Sequence, residues 1–145
     1  MRLLAAMLTL LLGLAAAMTA AGASEPVPAP KKFFFATGST RGTAAGHVLR
    51  GTRDLYSLSA GAGQIMTVTI TAPDDNAVFQ LYEPGTSIAR DADGLVVLTG
   101  KPLHGAGEGE DATRWSGRLP LTGSYLISVG STRGSARYSM DIKIE

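Results

Sequence analysis

The chain has 145 residues, no cysteine, 45% apolar residues and a formal charge of +1, with 13 Lys plus Arg against 12 Asp plus Glu. Without cysteine there is no disulfide stapling, thiol chemistry or Cys-ligated metal, so core packing has to hold the fold. A charge this close to zero lacks the basic footprint that nucleic acid selects.

Residues 1–23 read as a cleavable secretory signal. Arg2 supplies a positive start, and Leu3 to Ala17 is an apolar run shorter than the about 20 residues a membrane span needs. The A-x-A pattern Ala21-Gly22-Ala23 then places cleavage before Ser24. The expectation is a protein of the periplasm or the medium with no membrane anchor after cleavage. Once Arg2 is removed, basic and acidic side chains balance. Residues 24–32 (SEPVPAPKK) carry three prolines and read as an extended, solvated tether. Residues 33–145 are long enough for one self-sufficient domain.

From Phe33 onward, runs of Val, Ile, Thr, Tyr and Phe are punctuated by glycine, which is strand-and-turn composition. Short strands are expected at Phe33–Ala36 and Gly46–Arg50, then at Asp54–Ala60, where Tyr56 and Leu58 mark the apolar face. In Gln64–Thr71, Met66, Val68 and Ile70 alternate with Thr67, Thr69 and Thr71, the pattern of a half-buried strand. Ala77–Tyr82 offers Phe79 and Leu81, and Thr113–Leu119 is a shorter candidate. Tyr125–Val129 sets Tyr125, Ile127 and Val129 on one face. Arg137–Ile144 alternates most clearly, with Tyr138, Met140, Ile142 and Ile144 inward. The glycine-bearing segments Ala60–Gln64 and Leu119–Tyr125 read as tight hairpin connections, and Asp74-Asp75-Asn76 as a turn. Pro84–Asp111, with six glycines and five acidic residues, reads as a surface excursion. About eight short antiparallel strands and no amphipathic helix define an all-β protein, a single small jelly-roll-like β-sandwich.

The succession RDLYSLSAGAGQIMTVTI, NAVFQLYEPG, RWSGRLPLTGSYLISV and ARYSMDIKI resembles the bacterial pre-peptidase C-terminal-type β-sandwich over about residues 43–145. Within that group, the Leu-Pro-x-x-Gly-x-Tyr turn (Leu119 to Tyr125) followed by Thr132-Arg133-Gly134-Ser135-Ala136-Arg137 is similar to the periplasmic inhibitors of g-type lysozyme. The resemblance implies a non-catalytic protein whose loop enters a muramidase cleft. Arg133 and Arg137 would be its contact residues, with Thr132 and Ser135 shaping the loop. A guanidinium suits a site whose carboxylic acids flank a glycosidic bond, because it pairs bidentately with carboxylates. In this chain Arg137 runs straight into the Tyr138 strand, so the loop is short. An exposed turn with solvated arginines has the same composition.

Other chemistry is thinly marked. His47 and His104 are the only histidines, and neither Gly-x-Ser-x-Gly nor His-Glu-x-x-His occurs. No enzyme activity and no cofactor are therefore expected. Asp91-Ala92-Asp93-Gly94 opens like a calcium loop, yet Pro102 stands where the bidentate Glu belongs. A solvated acidic loop remains the alternative there to Ca²⁺ held with Glu108, Glu110 and Asp111. Trp115 suits either a sandwich core or a sugar platform. The reading opposed to inhibition is an accessory module that binds glycan or cell-wall polymer, tuned by Ca²⁺.

Overall fold

The computed structural model describes Gly22 and Glu25–Glu145. The expected signal sequence and its cleavage point, Gly22 apart, lie outside the described residues. Ten strands follow in order: β1 (Lys31–Lys32), β2 (Arg41–Val48), β3 (Asp54–Ala60), β4 (Ile65–Thr71), β5 (Ala77–Tyr82), β6 (Ser87–Arg90), β7 (Val96–Thr99), β8 (Arg114–Arg118), β9 (Gly123–Ser131) and β10 (Ala136–Ile144). They form one four-stranded sheet in the order β1-β3-β9-β5, a second in the order β2-β10-β4-β8, and a separate β6-β7 hairpin. All pairings are antiparallel except the short β1–β3 contact, which is parallel. The all-β sandwich expected from the sequence is the fold found.

Period-two alternation produces the core directly. On β4, Met66, Val68 and Ile70 are buried, and on β10, Tyr138, Met140, Ile142 and Ile144. Register places Met140 between Ala44 of β2 and Ile70 of β4. Facing them from the other sheet are Leu58, Phe79, Leu81, Tyr125, Ile127 and Val129. Burying each of these side chains contributes about 1.5–3 kcal/mol of transfer free energy. Where the sheets meet, the Tyr56 and Tyr138 hydroxyls lie 2.6 Å apart, and the Tyr138 hydroxyl donates to Asp54 Oδ2 at 2.6 Å. Burial first, then the hydrogen bonds to Asp54 and Tyr56, push the Tyr138 phenol far above the ordinary tyrosine range.

Several expectations are corrected. Phe33–Ala36 is not a strand: pairing stops at Lys32, after which only the Phe33 amide donates to Ser57. The sheet thus takes up the last two residues of the Pro-rich stretch. The second strand begins at Arg41 and ends at Val48, earlier than Gly46–Arg50, because Gly42, Ala44 and Ala45 pair along β10 without an apolar signature. Ala60–Gln64 and Leu119–Tyr125 do not turn hairpins, since each carries the chain from one sheet to the other. Their glycines meet the backbone need equally in a crossover. Gly63 adopts φ +86° and donates to Leu119 at 2.8 Å, which ties the two crossovers together. The Tyr125 hydroxyl fixes the second by donating to Leu121 O at 2.6 Å and accepting from Leu121 N at 3.1 Å, a tyrosine corner.

Pro84–Asp111 is more than a surface excursion. It holds the β6-β7 hairpin, whose Ile88, Val96 and Leu98 pack on Leu55, Tyr82 and Leu126 and cover the outer face of the first sheet. Its remainder, with the adjoining Ala112, seals the edge of β5: the amides of Leu103, Leu81 and Phe79 donate to Leu81, Ala106 and Ala112 carbonyls, each at 2.9 Å. An exposed strand edge is a pairing hazard, and this cover removes it. Asp91-Ala92-Asp93-Gly94 is the hairpin turn, with Asp91 Oδ1 accepting from the amides of Asp93 and Leu95 at 2.9 Å. Among the described residues no three His, Asp or Glu side chains converge to hold a metal ion.

Candidate functional site

The connections β2–β3, β4–β5 and β9–β10 meet at one end of the sandwich, and the arginines implied by the family resemblance lie there. The β9–β10 loop, Thr132 to Ser135, is exposed, and Ala136 just after it is buried. Its shape is set from beneath by Asn76, a polar residue only 5% exposed. The Asn76 side-chain amide donates to the carbonyls of Arg133 at 3.0 Å and Ser135 at 3.1 Å, and the Asn76 carbonyl accepts from Thr132 N at 2.9 Å. Gly134 takes φ +57°, a left-handed conformation that suits glycine at the tip, and its carbonyl accepts from Ser131 Oγ at 2.5 Å. The loop is therefore an ordered platform.

Each candidate residue has a distinct place on it. The Arg133 guanidinium reaches across to donate to the Asp74 carbonyl in the β4–β5 turn. Ser135 Oγ accepts from Arg50 N at 3.1 Å, linking the loop to the β2–β3 connection. Thr132 borders a hollow of about 380 Å³ shared with Arg53, Gln80, Asp111 and Ser128. Arg137 is already in β10, exposed and in register with His47 of β2, beside an open groove formed with Thr71, Ala72 and Pro73. Both arginines thus lie beside the β4–β5 turn. Among the described residues neither forms an ion pair, nor does Arg50.

Arg53 is less free. Its Nη1 donates to Gln80 Oε1 at 3.0 Å and Ser128 Oγ at 3.2 Å, and Tyr82 donates to the same Gln80 oxygen at 2.8 Å. Burial raises the Tyr82 phenol above its ordinary range, with Arg53 opposing and Glu108 adding to the shift. Sequence reasoning missed Asn76, Arg50 and His47. Asn76 has the composition of any turn residue, His47 joins the site only through the β2–β10 register, and Arg50 only through the hydrogen bond its amide donates to Ser135. The motif signal for Thr132 to Arg137 was local, so it was the part a single chain exposes.

The molecule is thus a β-sandwich that presents arginine-bearing connections at one end. Comparison with solved structures gives that form a counterpart. The periplasmic inhibitor of g-type lysozyme PliG from Aeromonas hydrophila superposes with a TM-score of 0.59 at 27% identity, covering 80% of this chain and 96% of that one. PliG from Salmonella Typhimurium superposes with a TM-score of 0.55 at 22% identity, covering 82% of this chain and 100% of that one. A mutant PliG from Escherichia coli gives 0.52 at 22%, covering 81% of this chain and 100% of that one. The latter two speak to fold alone. The chain resembles PliG in fold, and each of these neighbours is described as a periplasmic inhibitor of g-type lysozyme. No protein-family model matches the chain, and no curated protein matches it by sequence.

Proposed function

We propose that this protein inhibits g-type lysozyme outside the cytoplasm, with Thr132, Arg133, Ser135 and Arg137 forming the contact surface. The observation that carries the proposal is the arginine-bearing loop held rigid on Asn76, in a sandwich that superposes on the Aeromonas inhibitor over most of both chains. A preformed loop spends little ordering entropy on association. Guanidinium groups without an internal ion pair gain most when they meet carboxylates in a water-poor cleft, and a muramidase cleft provides the carboxyl groups that flank its scissile bond. Because the loop is short, His47 and Arg50 on the adjoining strand and connection extend the contact surface.

The test is inhibition of purified g-type, c-type and i-type lysozymes by the protein. Selective inhibition of the g-type enzyme, reduced by Arg137→Ala, is the expected result. Equal inhibition of all three, or none at high molar excess, overturns the proposal.

A further inference from the structure

The β7–β8 segment, besides sealing β5, borders an open hollow of about 500 Å³ whose lining includes Glu83, Lys101, His104, Glu110, Trp115 and Arg118. That volume is in the range of small-ligand sites, about 300–1,000 Å³. Trp115, the only tryptophan, sits on edge strand β8, half-buried against the core. Its Nε1–H donates to the His104 carbonyl at 2.9 Å, which fixes the indole orientation. The ring lies along the strand over Gly117, where an added Cβ would come within 2.7 Å of Cζ2. Gly117 is thus the residue that lets the indole lie against the backbone.

The polar rim has a definite charge character. Glu83 and Glu110 are balanced by Lys101 and Arg118, and Lys101 Nζ lies 3.8 Å from Glu83. A polyanion gains no net attraction here. A neutral, hydroxyl-rich ligand can use carboxylate acceptors and guanidinium or ammonium donors together, while its C–H face packs on the indole. We propose that this hollow binds neutral pyranose units of a glycan, with Trp115 as the stacking surface and Glu110 and Arg118 as hydrogen-bonding partners. Arg118 Nη1 donates to Gly63 O at 2.8 Å, which places this site toward the β3–β4 crossover, at the end opposite Thr132 to Ser135. The two surfaces can be occupied together, and neither proposal depends on the other.

The single tryptophan makes its own emission the reporter. The purified protein is titrated with chitotetraose, cellotetraose and maltotetraose, with a heparin tetrasaccharide as the anionic comparison. The expected result is a saturable emission change with at least one neutral sugar. Calorimetry should then show affinity reduced about fivefold or more by the exposed-side-chain variants Glu110→Gln and Arg118→Gln, and lost in Trp115→Ala. Both polar variants should retain wild-type circular dichroism, so a folding defect in Trp115→Ala does not leave the test open. Three outcomes overturn the proposal: no neutral sugar alters the emission, only heparin does, or both polar variants bind as tightly as the wild type.

Discussion

Removing the Asn76 side chain should soften the end of the sandwich in a way that can be computed from its two hydrogen bonds. Asn76→Ala deletes the donors to the Arg133 and Ser135 carbonyls and leaves the backbone bond from Thr132 intact. Each hydrogen bond is worth about 0.5–1.5 kcal/mol net, so the substitution should cost about 1–3 kcal/mol. For a domain of this size that is a fall in Tm of about 4–12 °C. Asn76→Asp is the sharper perturbation, since it removes the donors and aims a carboxylate at two carbonyl oxygens. It should be less stable than Asn76→Ala at neutral pH and recover part of the difference under acid, when a protonated carboxyl can donate once. Urea unfolding followed by circular dichroism at pH 7 and pH 4 measures both. Hydrogen exchange at the Thr132 amide, which the Asn76 main chain holds, should accelerate before the core does. Equal stability of Asn76→Asp and wild type at pH 7 would refute the claim that these donors hold the loop.

Three further outcomes follow from the buried phenols. The Tyr138 phenol is raised in the folded state, so the folded protein keeps its proton where the unfolded chain loses it. Stability should therefore be intact below about pH 10, fall as pH rises beyond it, and fall less in Tyr138→Phe, as alkaline urea titrations would show. Gly46→Ala would bring a Cβ within 2.5 Å of the Tyr138 hydroxyl, so it should destabilise strongly, and a double-mutant cycle should give a smaller cost in the Tyr138→Phe background. Tyr125→Phe removes the corner bonds to Leu121 and should cost about 1–3 kcal/mol, read as a lower urea midpoint with an unchanged slope.

How much of this was legible in the chain depended on which residues carry the signal. β4 and β10 were readable because Met66-Thr67-Val68-Thr69-Ile70 and Tyr138 to Ile144 alternate without interruption, and period two is what a half-buried strand imposes. Asp54–Ala60 and Ala77–Tyr82 likewise matched strands at the same bounds. β2 was half lost because Gly42, Ala44 and Gly46 have too little side chain to mark a face. β6 and β7 were hidden by the acidic turn between them, and their apolar residues acquire meaning only once Leu55 and Leu126 are seen on the outer face of the first sheet. Turn chemistry fixes φ, not the sheet that the next strand joins, so the two crossovers passed for hairpins. The loop motif pointed to Thr132 to Arg137, whereas Asn76, 57 residues from Arg133, became part of the site only through the fold. Trp115 suits core and platform alike by composition, and it sits at the boundary: packed on the core and bordering a hollow.

The central claim, that the arginine-bearing end meets a muramidase cleft, is tested most directly by calorimetric titration of g-type lysozyme with the wild-type protein, an Arg133→Ala/Arg137→Ala variant and a Glu110→Gln control at the far hollow. Tight binding that the double variant weakens by about a hundredfold, and that the control leaves unchanged, is the predicted result. Binding that survives loss of both arginines, or no binding by the wild type, would contradict it.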